Sequence, residues 1–328
     1  MEDRKESNIK ALPLRIKFRD WDFWTQLLLG DVKSEKLDIK AARVASLIDN
    51  VADDPECDAA EMSFSRYNLR VDQGKAEGIV AVPFFIMRGF RTRNIVTTDE
   101  SPLESLSDLA GKRIGLSGWQ DSGNTWTRAL LRRIGVDCDA IDWVLSRCTE
   151  KDPVEPNRGR AFWNGTTVVH EPEEKPLVEL LHEGKIDAMF QAFMPYGYCS
   201  GDLGLRPVVR DFKADEINYY NAVGYVPGIH ILALKEAYVR ANSWAVRELC
   251  VTLDASRKLW REKRRRYAET TPWILQDLID EGQRLAPDYD AWDLESNRTM
   301  IDDFGREAYE QHLTVHRNTA DILFPERF

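Results

Sequence analysis

Length, composition and charge limit the classes of protein that this chain can form. It has 328 residues, 43% of them hydrophobic, and it carries 45 basic against 55 acidic side chains. This length predicts two lobes with cores of ordinary size. The net charge of −10 argues against a broad surface for nucleic acid or anionic membranes.

The first residues and the cysteines indicate the compartment. Residues 1–10 are charged and contain no apolar core of a secretory signal. No apolar run approaches the length of a membrane span. The five cysteines are scattered, without the short paired spacing of a zinc site. We therefore expect a reduced, cytoplasmic protein without a membrane partner.

Two strands near the start of the chain carry polar residues at their ends. Residues 12–18 alternate apolar and charged side chains, which predicts a strand that ends at Arg19. Residues 58–63 predict a buried strand that delivers Ser63 and Ser65 to a helix start. A helix start presents unpaired backbone N–H groups, so both serines are candidate ligand contacts.

A further apolar strand is predicted over residues 78–85, and it leads to Arg88 and Arg91. The pattern Ser-Pro-Leu-Glu that follows predicts a capped helix start, with Ser101 as N-cap and Glu104 three residues later. We expect this helix to open the second lobe.

The stretch of residues 111–135 reads as a strand over 113–116, a turn, and a helix. Asp121, Ser122 and Asn124 are capping candidates at the start of that helix. Backbone N–H groups and the helix dipole would favour a carboxylate there. The alternative is an ordinary strand-to-helix turn whose glycines serve only the bend.

Strands alternate with helices along the whole chain, which predicts an open α/β architecture. The order of these elements also indicates that the chain leaves one lobe and returns to it. We predict one lobe of residues 1–100 and 206–328, a second lobe of residues 101–205, and a ligand cleft between them.

Several short motifs, taken in their order and spacing, resemble the 4,5-dihydroxyphthalate decarboxylase family over residues 14–324. The motifs are Glu61–Tyr67, Arg88–Arg91, Leu109–Gly115 with Trp119 and Gln120, Asp187–Ala188, Tyr219–Tyr220, Pro227, His230, Asn297–Arg298 and Tyr309–Gln311. The resemblance implies the fold of type 2 periplasmic solute-binding proteins and a decarboxylase of aromatic compound catabolism. Two departures concern the substrate. The family pattern Ser-Pro-Arg-Pro-Pro is replaced by residues 191–195, so Phe193 stands where an arginine is usual. A phthalate dianion would need that extra cation. The region of Trp143 also lacks the Thr-Gly-Gly that often follows in the family.

The implied reaction needs an acid and no organic cofactor, because ring hydroxyls can act as the electron reservoir. His230 lies at the family's histidine position, and imidazole is the side chain best suited to transfer a proton near neutral pH. Without the resemblance, a lone histidine in an apolar strand is more often a hydrogen-bonded core residue. Glu61 is the second candidate acid, and its alternative is a strand-end carboxylate paired with an arginine.

The predicted substrate contacts are residues that can hold or stack on an aromatic carboxylate. Guanidinium groups match carboxylates, although each arginine could equally form a surface or interlobe ion pair. Trp119 could stack on a ring or simply pack. The set is Arg19, Ser63, Ser65, Arg88, Arg91, Trp119, Ser122, Gly123 and Asn124.

We therefore expect a non-oxidative decarboxylase of a small hydroxylated aromatic acid. No His/Asp cluster of ligand spacing predicts a metal. A homo-oligomer is compatible with the sequence. The chief alternative is a solute-binding protein that holds such an acid without reaction, and the absence of a signal sequence favours the enzyme.

Overall fold

The computed structural model describes residues 10–154, 168–170 and 174–325. The segment of residues 1–9, on which the expectation about a signal sequence partly rests, lies outside them. Within the described residues the chain alternates strands and helices, as the sequence predicts. None of the described helices is both long and apolar enough to cross a membrane.

The strands lie in two separate sheets. They are β1 (Leu12–Phe18), β2 (Leu37–Arg43), β3 (Ala59–Ser63), β4 (Ile79–Arg88), β5 (Ile95–Thr98), β6 (Arg113–Leu116), β7 (Asp142–Leu145), β8 (Val168–His170), β9 (Ala188–Phe190), β10 (Leu205–Pro207) and β11 (Gly228–Lys235).

The helices cover the sheets and form the C-terminal part of the chain. They are α1 (Thr25–Leu28), α2 (Phe64–Asp72), α3 (Ser122–Arg133), α4 (Leu177–His182), α5 (Phe212–Val223), α6 (Glu236–Ala241), α7 (Trp244–Arg266), α8 (Ile274–Arg284), α9 (Leu294–Glu310) and α10 (Ala320–Leu323).

The first sheet has the strand order β2-β1-β3-β11-β4. β1 runs parallel to β2 and β3, whereas β11 is antiparallel to both of its neighbours, β3 and β4. The carboxyl ends of β1, β3 and β4 and the start of β11 therefore lie at one edge of the sheet. Arg19, Ser63 and His230 are brought to this edge.

The second sheet has the order β10-β5-β9-β6-β7-β8. β5 pairs with β9 within this sheet, so the chain enters the second lobe before Ile95, ahead of the boundary predicted at residue 100. The predicted return at residue 206 falls inside β10, which pairs with β5. Both differences arise because short edge strands carry too little periodic pattern to be assigned from sequence.

Helix α3 contacts the cores of both lobes. Trp126 and Ala129 pack with Phe304 and other first-lobe residues, whereas Leu130 and Leu131 pack in the second-lobe core. The indole N–H of Trp126 donates to the backbone carbonyl of Gly228 at 2.8 Å. The first turn of α3 is therefore held in a fixed place between the two sheets.

Candidate active site

His230 and Glu61 form a buried pair on adjacent antiparallel strands. His230 in β11 lies opposite Ser63 in β3, and Glu61 precedes it by two residues on the same face. Nδ1 of His230 is 2.6 Å from Oε1 of Glu61. The two residues are only 7% and 1% exposed. Within the described chain, Nε2 of His230 has no hydrogen-bond partner.

Two further donors fix the Glu61 carboxyl group. The backbone N–H of Arg19 donates to Oε2 at 2.8 Å. The indole N–H of Trp21 lies 3.0 Å from each carboxylate oxygen. A group that accepts hydrogen bonds in this way is arranged as a carboxylate, so we assign the proton of the shared bond to Nδ1 of His230.

Two serine hydroxyl groups join the helix starts of the two lobes. Ser63 is the N-cap of α2, and its Oγ lies 3.0 Å from Oγ of Ser122, the first residue of α3. Oγ of Ser122 also accepts from the backbone N–H of Ser65 at 2.9 Å. The hydroxyl oxygen of Ser65 is buried without a partner among the described residues. Ser63, Ser65 and Ser122, each a predicted substrate contact, therefore meet between the lobes.

The first turn of α3 lies against the Arg91 guanidinium. A Cβ atom at Gly123 would lie 2.9 Å from Nη2 of Arg91, so a side chain there would push the guanidinium aside. The side-chain amide of Asn124 donates to the carbonyl of Gly118 at 2.7 Å and braces the preceding turn. The Asp121 side chain does not cap the helix. Ser122, Gly123 and Asn124 thus lie together in the first turn of α3, and their contact with a substrate stays a prediction.

Arg91 is a buried cation without a carboxylate partner in the described part of the chain. Its Nη2 donates to the carbonyl of Gln191 at 3.1 Å, and its Nε lies 3.5 Å from Oγ1 of Thr127. No carboxylate oxygen of the described residues lies within 4.0 Å of it. Burial lowers the pKa of Arg91 to about 10. An anionic ligand would stabilise this charge.

Arg19 meets an aromatic ring of the opposite lobe. Its guanidinium carbon lies 5.0 Å from the ring centroid of Phe193, which is 46% exposed. Nε of Arg19 is buried without a hydrogen-bond partner in the described part of the chain. The same Phe193 ring lies 6.2 Å from the Trp21 ring. Phe193 therefore faces Arg19 and Trp21, two residues that donate to Glu61, with an aromatic rather than a charged side chain.

Two of the predicted contacts are engaged elsewhere. Arg88 donates to the carbonyl groups of Val226 and Ala291 and to Oδ1 of Asn297, which ties β4 to the C-terminal helices. Burial lowers its pKa to about 10. Trp119 is 4% exposed and packs under the guanidinium of Arg128, 3.9 Å from its ring centroid. Both side chains are thus engaged by residues outside the His230–Glu61 pair.

Sequence reasoning missed two residues of the site. Trp21 donates to Glu61, and Gln191 presents a buried amide nitrogen that has no acceptor among the described residues. Gln191 could have been found, because it begins the 191–195 segment in which the chain departs from the family pattern. Trp21 carries no comparable signal. Among the described residues, no three His, Cys, Asp or Glu side chains lie together so that they could hold a metal ion.

Comparison with known proteins identifies a matching family model and two relatives of this chain. Residues 67–154 match the family model described as "NMT1/THI5 like". The 4,5-dihydroxyphthalate decarboxylase of Comamonas testosteroni is 24% identical over 97% of this chain and 98% of its own length. The enzyme of the same name from Pseudomonas putida is 28% identical over 51% of this chain and 65% of its own length.

The predicted resemblance to the 4,5-dihydroxyphthalate decarboxylase family is confirmed. The His230–Glu61 pair and the hydrogen bond between Ser63 and Ser122 are features of this chain whose presence can be checked in the 4,5-dihydroxyphthalate decarboxylases. The two-lobed fold is likewise confirmed by solved structures.

The similar structures include both binding proteins and an enzyme. The alkanesulfonate-binding protein SsuA of Xanthomonas axonopodis pv. citri has a TM-score of 0.51 at 13% identity, covering 95% of this chain and 98% of its own. The desulfurization enzyme DSZB has a TM-score of 0.54 at 16% identity, covering 94% and 95%. A variant of that enzyme was solved in complex with biphenyl-2-sulfinic acid. At these identities the likeness concerns the fold alone.

Proposed function

We propose that this protein is a non-oxidative decarboxylase of a small hydroxylated aromatic acid. The names of its relatives, the 4,5-dihydroxyphthalate decarboxylases, support the reaction class. The observation that carries the proposal is the buried His230–Glu61 pair, in which one imidazole nitrogen is bound to a carboxylate and the other has no partner among the described residues.

In the proposed reaction, His230 acts as the general acid. The imidazolium, stabilised by Glu61, gives its Nε2 proton to the ring carbon that bears the carboxylate. The bond between that carbon and the carboxylate then breaks, carbon dioxide leaves, and the electron pair of the broken bond restores the aromatic ring. A proton from solvent returns His230 to its charged form. Hydrogen replaces the carboxylate in the product.

The carboxylate is proposed to bind at the junction of α2 and α3. Ser65, Arg91 and the first-turn N–H groups of α3 supply donors there. Among the described residues, the Ser65 hydroxyl and the Gln191 amide nitrogen are buried without partners. These donors hold the carboxylate until it leaves as neutral carbon dioxide. Because neutral carbon dioxide binds such donors weakly, its release from the site is favoured.

The experiment is incubation with a panel of hydroxylated benzoates and phthalates in heavy water. We expect carbon dioxide release and a product with one deuterium at the carbon that lost the carboxylate. Binding of a panel member in calorimetry without carbon dioxide release would contradict the enzyme and favour a solute-binding protein. That alternative is supported by the fold, which binding proteins and an enzyme share.

The chain provides a matched control for the acid. His316 also contacts a carboxylate, with its Nδ1 3.0 Å from Asp72, but its side chain is 73% exposed. His230→Ala is expected to lower kcat by about 10²- to 10⁴-fold, whereas His316→Ala should not change it. Near-normal kcat with a lower melting temperature in His230→Ala would make His230 a core residue.

A further inference from the structure

Trp21 is the one side chain besides His230 that, among the described residues, donates to the Glu61 carboxylate. It lies three residues beyond β1, in the loop before α1. Its indole N–H is 3.0 Å from both Oε1 and Oε2, so a single donor bisects the carboxylate. Any rotation of the carboxylate would lengthen at least one of these contacts.

The Trp21 ring is itself held by aromatic neighbours. It stacks on Phe23 with ring centroids 6.0 Å apart and an interplanar angle of 8°. On the opposite lobe, the Phe193 ring lies 6.2 Å away. Packing on a stacked ring fixes the direction of the N–H group, because an indole has few rotatable bonds. The donor therefore has a defined orientation toward Glu61.

The orientation of Glu61 determines that of His230. Oε1 accepts from Nδ1 of His230 at 2.6 Å, so the plane of the carboxylate sets where the imidazole ring points and where its Nε2 lies. The backbone N–H of Arg19 holds only Oε2. Without the indole donor, the carboxylate could turn about its bond while keeping that contact.

We propose that Trp21 is a positioning residue, which orients the Glu61 carboxylate and through it the imidazole of His230. The kinetic consequence rests on the proposed decarboxylation. The effect on the orientation of Glu61 and His230 does not rest on that reaction, and it can be measured in the protein without substrate. Trp21 has no proposed contact with the substrate.

The test uses Trp21→Phe, which keeps a ring and removes the N–H group. The matched control is Trp273→Phe, because Trp273 is 80% exposed and lies before α8, away from the site. The chain has five histidines, so protein labelled with nitrogen-15 at histidine gives a simple spectrum. Glu61→Gln identifies the proton signal of the His230 Nδ1–H bond, because that signal depends on the carboxylate.

In the spectrum of Trp21→Phe, the Nδ1–H signal is expected to broaden or move toward its position in Glu61→Gln, whereas Trp273→Phe leaves it unchanged. On the substrate found in the panel, Trp21→Phe should lower kcat about tenfold with little change in KM. In the Glu61→Gln background the same change should have no further effect.

An unchanged Nδ1–H signal, or a loss of rate that adds fully to that of Glu61→Gln, would overturn the proposal. If wild-type protein releases no carbon dioxide from any acid, the proposed function fails and the spectrum alone decides the role of Trp21. If Trp21→Phe does not fold, Trp21→Tyr offers a ring with a hydroxyl donor at its far end. The same spectral and additivity criteria then apply to it.

Discussion

Arg91 combines deep burial with the lack of a carboxylate partner among the described residues. Its guanidinium is held by the Gln191 carbonyl and by Thr127, and burial lowers its pKa to about 10. A lowered pKa of a cation means that the charged form is disfavoured in the folded state. The resulting penalty is present at neutral pH and would be relieved only as the pH rises toward 10 and above.

Arg91→Met is therefore expected to stabilise the free protein and to weaken ligand binding. Replacing a buried, poorly compensated charge with an apolar side chain should add about 1 kcal/mol to the free energy of unfolding, or about 2 °C in melting temperature. A ligand that raises the melting temperature of the wild type should raise that of Arg91→Met much less.

Thermal melts with and without the panel acid, at pH 6 and pH 8, check this expectation. The wild-type penalty should be the same at both pH values, because both lie well below 10. Arg240→Met is the control, since Arg240 is an exposed residue that pairs with Glu236. A lower melting temperature together with an intact ligand shift would show that Arg91 serves stability alone.

The sequence could not rank its three candidate arginines. Arg19, Arg88 and Arg91 all follow the ends of predicted strands, so local pattern treats them alike. The structure distinguishes the three arginines by their contacts with distant parts of the chain. Arg88 contacts Asn297, Arg19 contacts Phe193, and Arg91 contacts Gln191. Such long-range partners are set by the packing of the lobes and leave no local signal.

At the scale of elements, the start of α3 depends on a residue without a side chain. Gly123→Val would place a Cβ atom 2.9 Å from Nη2 and 3.0 Å from Cζ of Arg91. The guanidinium would have to move from the proposed carboxylate site, so we expect the dissociation constant of the panel acid to rise about tenfold or more.

Titration calorimetry measures this change. Gly282→Ala in α8 is the control, because a Cβ atom there would have no neighbour within 4 Å. An unchanged affinity in Gly123→Val, with the fold intact by circular dichroism, would remove the α3 start from the binding site.

Regular elements were predictable where the pattern was strong. β1, β3, and the unit of β6 and α3 lie where periodicity and caps indicated. The capped start predicted at Ser101 was wrong. The same Ser-x-x-acid pattern occurs again at Ser105 and Asp108, and the capping box forms there, at the start of a short 3₁₀ helix. Local spacing could not choose between two equal patterns.

The order of the strands in the first sheet could not be predicted from the sequence. Lys17 pairs with Ala60 in the parallel β1–β3 ladder, and this pairing places the loop after β1 beside Glu61. Trp21 reaches the carboxylate only because of that order. Periodicity identifies a strand but does not name its neighbour, so the pairing of Glu61 with Trp21 had no local signature.

On the scale of the whole molecule, α3 and the C-terminal helices restrict movement between the lobes. Arg128 of α3 donates to Gln311 at 2.8 Å, and Arg132 pairs with Glu307 at 3.1 Å. With Trp126 packed in the first-lobe core, rigid opening of the second lobe would expose these buried contacts. Solute-binding proteins, in contrast, close by hinge motion around their ligands.

We therefore expect the radius of gyration to change little when a panel acid binds. Small-angle scattering with and without the acid measures the radius of gyration. Trp126→Ala is the variant to compare with the wild type, because it removes the central contact of α3. A clear decrease of the wild-type radius on binding would indicate a hinged receptor and weaken the enzyme proposal.

The position of β11 in the first sheet has a consequence for synthesis on the ribosome. β11 fills the gap between β3 and β4, yet it is made after the entire second sheet. Until residues 228–235 leave the exit tunnel, β3 and β4 lack the strand that joins them and expose unpaired edges. The nascent first lobe is therefore a natural client for chaperones, and ribosome-bound chains that stop before Gly228 should be sensitive to protease and prone to aggregate.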